Sequence, residues 1–379
     1  MKKINVVVFS YYLEDTRVRK QCELLASHGY EVNVLCLKRK NELENEVYNR
    51  VNIKRVGTER KADNRTKLSY LSEYLKFFIS AAMWNISSLF KGKAALTIVH
   101  NMPNFLVFSA LPSRLCGVPT LLDTHDLMPE LWTAMGNDKS LFGRLLLIEE
   151  KLSHKFSTHV MTVNKTLAAY LNKRNLRKYT VFHNGPIGMD IAPYSPSDSP
   201  SLVYHGNIHE RYGLQNVVTI MPKLIRKYPD IKLDIHGYGP YANDIKQLIS
   251  ELGLEKHCIM HGRFAPENVP AILKGKTIGF ATIDKCQQND LAIPVKVLEY
   301  ISNGIPSICT SLDTMHQYFP DTAMCYLYNP EDLFSKVCQL LDSNELRQKQ
   351  VYEAQNQLSE ISWRKESKLF LEYIEKIQR

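Results

Sequence analysis

Lys296 and Glu299 stand three residues apart in the stretch TIGFATIDKCQQNDLAIPVKVLEYISNGIPSICT, residues 277 to 310. Its apolar, β-branched start (Thr277 to Ile283) reads as a strand, and a polar loop follows. Pro294, at the first helical position, opens a helix that Gly304 closes, and PSICT reads as the next strand. At helical spacing, Lys296 and Glu299 share one face of the first turn, while Val297, Leu298 and Ile301 turn towards a core. A helix N-terminus offers unpaired N–H groups and a partial positive charge, and a lysine there adds a full one, which makes a seat for a phosphate. A carboxylate one turn further in can accept hydrogen bonds from hydroxyls attached to that phosphate, as on a ribose. The plain alternative is a surface ion pair at helical spacing, worth roughly a few tenths of a kcal/mol.

Other residues could complete such a site. In HGNIHERYG, Gly206 follows a strand and Arg211 comes five residues later; in HGYGP, Gly237 and Gly239 form a tight turn. His125, in DTHDLMPELW, comes directly after a strand between Asp123 and Asp126, and His100 ends the strand of IVHNMPN. Strand ends of this kind line the ligand crevice of a doubly wound sheet. His205, His209 and Glu210 do not make a metal site by spacing, because the turn puts the two histidines on opposite sides and no third ligand follows.

PVKVLEYISNGIPSI resembles the P-x-K-x-x-E-Y-x-x-x-G-x-P segment of the family-4 retaining glycosyltransferases. That resemblance places Lys296 at the diphosphate of a nucleotide-sugar donor and Glu299 on its ribose. Relatives often carry a second acid eight residues before this Glu, against the transferred sugar; here Leu291 holds the place, with Asp290 beside it. They also usually carry Arg directly after the glycine matched by Gly206 and Lys six residues after it. Asn207 and Tyr212 stand there, which leaves Arg211 for the diphosphate, with Lys296 as its partner. Gly237 and Gly239 match the turn on which base and ribose pack. DTHDLMPE is similar to the family's t-x-H-D-l-x-P-e segment, whose histidine lies at the donor sugar, so His125 is the implied catalytic residue and His100 a secondary candidate. The implied architecture is α/β, a GT-B fold of two Rossmann-like doubly wound domains facing across a cleft. The implied reaction needs no cofactor and no metal, and retention leaves no role for an enzymic nucleophile.

The frame agrees with this. At 379 residues the chain exceeds what one core usually supports. Alternation of strands and helices begins at once, with a strand from Ile4 to Ser10, a helix capped by Asp15 and ended by Gly29, and a strand from Glu31 to Leu37. Near residue 190 it yields to FHNGPIGMDIAPYSPSDSPS, rich in proline and serine as linkers are, and then restarts. The expected domains are 1–190, on the acceptor side, and 191–360, holding the nucleotide sugar, with a final helix at about 361–379 returning to the first. Eight scattered cysteines without C-x-x-C read as reduced thiols of a cytoplasmic protein. MKKINVVVFS reads as a buried strand rather than a signal peptide, and Phe77 to Phe90 is too short to span a bilayer.

Charge is uneven. The net +9 divides into 28 Lys+Arg against 17 Asp+Glu in residues 1–190 and 20 against 22 in the remainder. No zinc-finger or RNA-binding signature accompanies the basic half, which argues against nucleic acid. An anionic membrane surface suits it better, because residues 67–93 place aromatic rings between lysines as interfacial helices do; a core helix pair is the alternative there. The combined expectation is a hexosyl- or N-acetylhexosaminyltransferase, peripheral on the inner face of the cell membrane. Its acceptor would be lipid-linked or a growing polysaccharide, as in lipopolysaccharide or capsule synthesis. A nucleotide-sugar epimerase of the same fold, or a non-catalytic nucleotide-sugar-binding subunit, are the alternatives.

Overall fold

The structure, a computed structural model, describes residues 1–57, 67–134, 140–186, 191–195 and 199–378, with side chains of the 67–90 helix from residue 72 onward. It divides into two compact units, Met1–His183 with Glu366–Arg379, and Asn184–Lys365. The boundary at 190 read from composition lies outside the described residues.

In the first unit the order is β1 (Lys3–Val7), α1 (Thr16–Ser27), β2 (Glu31–Leu37), β3 (Asn45–Tyr48), β4 (Val51–Val56), α2 (Lys67–Phe90) and β5 (Leu96–His100). There follow a 3-10 turn (Asn104–Ala110), α3 (Leu111–Leu115), β6 (Thr120–Thr124), α4 (Met128–Ala134), α5 (Leu141–Phe156), β7 (His159–Thr162), α6 (Lys165–Asn175) and β8 (Thr180–Val181). The eight strands run in the order β3-β4-β2-β1-β5-β6-β7-β8, all parallel except the β3–β4 pair. Asp15 caps α1 by accepting from the Val18 amide at 3.3 Å, satisfying an amide the helix cannot. Residues 67–90 make one helix rather than a pair, and the first strand ends at Val7, three residues before the end read from its apolar run.

The second unit repeats the plan with β9 (Ser201–Asn207), α7 (Leu214–Lys227), β10 (Lys232–Tyr238), α8 (Ala242–Glu251), β11 (Cys258–Gly262), α9 (Val269–Leu273) and β12 (Ile278–Ala281). It continues with α10 (Gln287–Asp290), α11 (Val295–Ser302), β13 (Ser307–Thr310), α12 (Asp313–Tyr318), β14 (Cys325–Leu327), α13 (Leu333–Asp342) and α14 (Asn344–Glu360). The sheet is wholly parallel in the order β11-β10-β9-β12-β13-β14. In α15 (Trp363–Ile377), Phe370, Ile374 and Ile377 join the first unit's core, and Phe370 meets Phe182 edge-on at 5.3 Å.

A parallel sheet is covered on both faces, and its strands accordingly read as apolar runs: Ile4, Val6 and Val7, or Leu202, Val203 and Tyr204, are all fully buried. In each sheet the chain winds one way from its first strand and then returns to the other side, so β1/β5 and β9/β12 are the switch points where loops part and leave a crevice. All eight cysteines are free, and six are buried. Among the described residues no helix is long and apolar enough to cross a membrane.

Candidate functional site

In the second unit the crevice forms between the loops after β9 and β12, with α11 beside it. Pro294 lies just outside α11 in an extended conformation, so it is the N-cap rather than the first helical residue. The apolar side of the helix (Val297, Leu298, Ile301) is buried, which leaves Lys296 and Glu299 on the opposite side. They are not an ion pair with each other. Glu299 accepts from His205 Nε2 at 2.7 Å, and Lys296 Nζ has no hydrogen-bond partner among the described residues. The lysine's ammonium lies 3.8 Å over the Tyr204 ring and 5.7 Å from that of Tyr212. Burial pushes its pKa down to about 7, with Glu299 opposing the shift. A buried amine with no hydrogen-bond acceptor among the described residues is the reverse of a surface pair and is suited to an anionic ligand.

Arg211 lies in the 3-10 turn Glu210–Tyr212, its guanidinium 5.3 Å from the Tyr212 ring, and its buried Nε also lacks a partner. Tyr212 therefore serves as a platform shared by the two cations. The Arg211 carbonyl accepts from the Asp284 amide at 2.8 Å, which ties the loop after β9 to the loop after β12. Gly206 has φ +114°, and a Cβ built there would be 3.6 Å from Lys296 Nζ; the backbone is left-handed where the lysine tip approaches. At Gly237 the reason for glycine is contact alone, because a Cβ would lie 1.9 Å from the Gly206 carbonyl oxygen. Gly239 packs against Ile208 and Asn207, and the Asn207 carbonyl accepts the Tyr204 hydroxyl at 2.6 Å.

Asp290 and Leu291 are placed differently. The loop read as simply polar contains α10, and Asp290 at its end accepts from the Asp313 amide at 3.3 Å, where α12 starts. Burial raises its pKa. Leu291 is buried.

In the first unit, His125 follows β6. Its backbone amide donates to Asn101 Oδ1 at 3.0 Å, and Asn101 Nδ2 donates to the Asp126 carbonyl at 2.6 Å. Asn101 thus clamps the turn that presents the histidine. The His125 imidazole has an unpartnered buried Nδ1, and Asp126 Oδ2 lies 3.7 Å from its Nε2. Burial, with Arg17 and His100 adding to it, holds its pKa well below the ordinary histidine value. It is a neutral hydrogen-bonding group at pH 7 and not a cation. His100 bonds Asp123 Oδ2 through Nδ1 at 3.0 Å, and its Nε2 is unpartnered. His100, Asp123 and His125 offer ligand atoms within 4.8 Å of one another, as do Asp234, His236 and His261. In the second group Lys276 already occupies Asp234 at 2.5 Å.

Three contributors escape a reading by motif. His205 has its signal in the YHG of the HGNI turn, where it reads as a core strand residue. Tyr212 reads as the loss of a cation, although it is the ring on which two cations meet. Asn101 follows His100 in a segment that points to the histidine alone.

Residues 15–185 match the family model "Glycosyl transferase 4-like domain", and residues 192–357 match "Glycosyl transferases group 1". A GDP-mannose-dependent alpha-(1-6)-phosphatidylinositol monomannoside mannosyltransferase of Mycolicibacterium smegmatis is 31% identical over 78 residues, 21% of this chain and 20% of that protein. The alpha-D-kanosaminyltransferase of Streptomyces kanamyceticus is 23% identical over 159 residues, 41% of this chain and 40% of its own. The chain thus spans from a fifth to two fifths of these curated relatives' lengths. Among solved structures, sucrose-phosphate synthase of Thermosynechococcus elongatus superposes with a TM-score of 0.79 at 14% identity, covering 100% of this chain and 99% of its own. Anabaena Alr3699/HepE, in complex with UDP-glucose, gives 0.73 at 13% identity, covering 99% and 100%.

Proposed function

Because this chain belongs to the family-4 glycosyltransferases of GT-B fold, we propose that it moves a sugar from a nucleotide diphosphate sugar to a lipid-linked or polysaccharide acceptor, with retention. The observation that carries the reading is the pairing of Lys296 and Arg211 on the Tyr212 ring, each with a buried, unpartnered nitrogen beside the switch point. When the sugar leaves, negative charge grows on the diphosphate. Cations fixed in a poorly solvated crevice stabilise that charge without having to reorganise. They and the α11 N-terminus do this in place of a metal ion. Glu299, oriented by His205, takes the ribose, and His125 serves as a neutral hydrogen-bonding partner of the sugar. No side chain is assigned as nucleophile, since attack from the face that the diphosphate leaves needs none.

The sugar is a hexose or N-acetylhexosamine. One relative is named for GDP-mannose, and another is solved with UDP-glucose. The basic first half and the phosphatidylinositol mannoside acceptor in the first relative's name favour a membrane-borne acceptor, as in surface polysaccharide synthesis, with the protein peripheral on the inner face of the membrane.

The test is to incubate the protein with UDP-, GDP- and ADP-sugars and a membrane lipid extract and to follow the anomeric proton by NMR. One donor should be consumed, its nucleotide diphosphate released and its anomeric configuration kept in the product. An inverted product, or an epimerised donor without nucleotide release, would contradict the reading.

A further inference from the structure

Three helices of the first unit carry an apolar surface that the nucleotide chemistry does not use. On α5, Leu141, Leu145, Ile148 and Leu152 follow at spacings of four, three and four, and each is more than half exposed. On α2, Leu75, Ile79, Met83, Ile86 and Phe90 form a second exposed stripe, while Phe77, Ala81 and Asn85 on the opposite side are buried. Leu111 and Leu115 of α3 are exposed as well. These three helices hold thirteen of the twenty-five exposed large apolar side chains among the described residues, a concentration that soluble monomers rarely leave to water.

The stripes belong to one layer. α2 and α5 both pack on the 104–110 turn: Phe78 meets Phe105 at 5.9 Å and Phe156 meets Phe108 at 5.1 Å. Right-handed crossovers place helices that step the same way along a parallel sheet on the same face.

Charge on this layer is sorted by side. Both acids of α5 turn inward, with Glu150 accepting from Asn175 at 3.0 Å and ion-paired to Arg174 at 2.5 Å, and Glu149 accepting from Ser153 at 3.1 Å. The exposed charges of α5 are Arg144, Lys151 and Lys155, all positive, and Lys76 is exposed on α2. A second copy seated on this face about a two-fold axis would set cations against cations. Among the described residues no helix is long and apolar enough to cross a membrane, and the apolar stripes flanked by cations match an interfacial position, apolar side down and cations at the phosphates.

We propose that the outer faces of α2, α3 and α5 form a single docking surface for an anionic lipid bilayer. The apolar stripes enter the headgroup–acyl boundary, and Arg144, Lys151 and Lys155 meet lipid phosphates. This gives the membrane association proposed above a definite surface and rests on that reading, yet vesicle binding requires neither donor nor transfer, so the two can fail separately.

The experiment is co-sedimentation of the full chain with phosphatidylcholine vesicles, with and without phosphatidylglycerol, alongside nucleotide titration and a melting curve. The protein should pellet with the anionic vesicles only, and less as salt is added. The double variant Leu145→Glu/Ile148→Glu should lose at least about tenfold in partitioning, the scale of removing one buried aliphatic side chain. Arg144→Gln/Lys151→Gln, the second arm in case the first variant misfolds, should lose about thirtyfold, from ~1 kcal/mol for each of the two basic residues near the surface. Both should keep wild-type nucleotide affinity. Equal pelleting with neutral vesicles, or undiminished binding by both variants, would overturn the proposal. So would a wild-type dimer in solution that Leu145→Glu/Ile148→Glu dissociates, because the face would then belong to a second copy.

Discussion

Both sheets gather polar side chains at the carboxyl ends of the strands flanking their switch points, and the two gatherings respond differently to the same force. In the first unit burial acts on His125, in the second on Lys296, and in both it disfavours the charged form. A histidine starts near the working pH, so burial takes it out of range and leaves a neutral donor and acceptor. A lysine starts several units higher, and burial brings it only to about 7. The first crevice is thereby left with a neutral hydrogen-bonding ring, and the second with a buried amine whose pKa lies at about 7. Chemical role here depends as much on the starting pKa of the residue type as on its surroundings.

The comparison breaks most sharply at His125. His125→Ala should lower turnover by about 10² or more, some ~2.7 kcal/mol of barrier, while nucleotide affinity stays as it was. Steady-state rates, nucleotide titration and a melting curve on the same variant would separate these. A near-normal rate, or a loss explained by early melting, would make the histidine structural and shift attention to His100.

A smaller effect separates the crevices by pH. Burial brings the Lys296 pKa down to about 7, and a diphosphate bound beside it would raise it again. Binding above pH 7 therefore takes up a proton, and affinity should fall by up to about tenfold per pH unit. Titrations above pH 7 on the wild type and Lys296→Gln check this, because the glutamine variant should lose the slope. Equal slopes would mean that the lysine does not titrate on binding.

The smallest expected effect concerns Glu299. His205→Ala removes the hydrogen bond that orients it and should weaken nucleotide binding about fivefold, or ~1 kcal/mol. His205→Gln, whose amide can still donate, should restore most of this, and inorganic pyrophosphate should bind all three proteins alike. If pyrophosphate weakens in parallel, His205 supports the whole crevice and not the ribose side.

Strand and helix order was legible because both sheets are parallel, but for the β3–β4 edge, and doubly covered, so buried strands such as Glu31–Leu37 and Leu96–His100 stand out as apolar runs between polar loops. The placement of Lys296 was legible too, since Pro294 and Gly304 bracket α11 and the periodicity puts the lysine on its outward side. What the lysine touches was not. Its ring partners lie at Tyr204 and Tyr212, more than eighty residues away, and no local spacing encodes a contact made by the return of β12 alongside β9. Glu299 bonds His205 rather than Lys296 for the same reason. The outer side of α5 escaped because its two acids, Glu149 and Glu150, lie between its cations along the chain, and only the fold reveals that both turn inward.

The most direct test of the account is calorimetric titration of UDP, GDP and ADP into the wild type and Lys296→Ala. One nucleotide diphosphate should bind the wild type, and the variant should bind it about ten- to a hundredfold more weakly, from the ~1.5–3 kcal/mol of a charge-assisted hydrogen bond, with an unchanged melting temperature. Undiminished affinity in Lys296→Ala, or no binding of any of the three by the wild type, would contradict the assignment of this crevice to a nucleotide sugar.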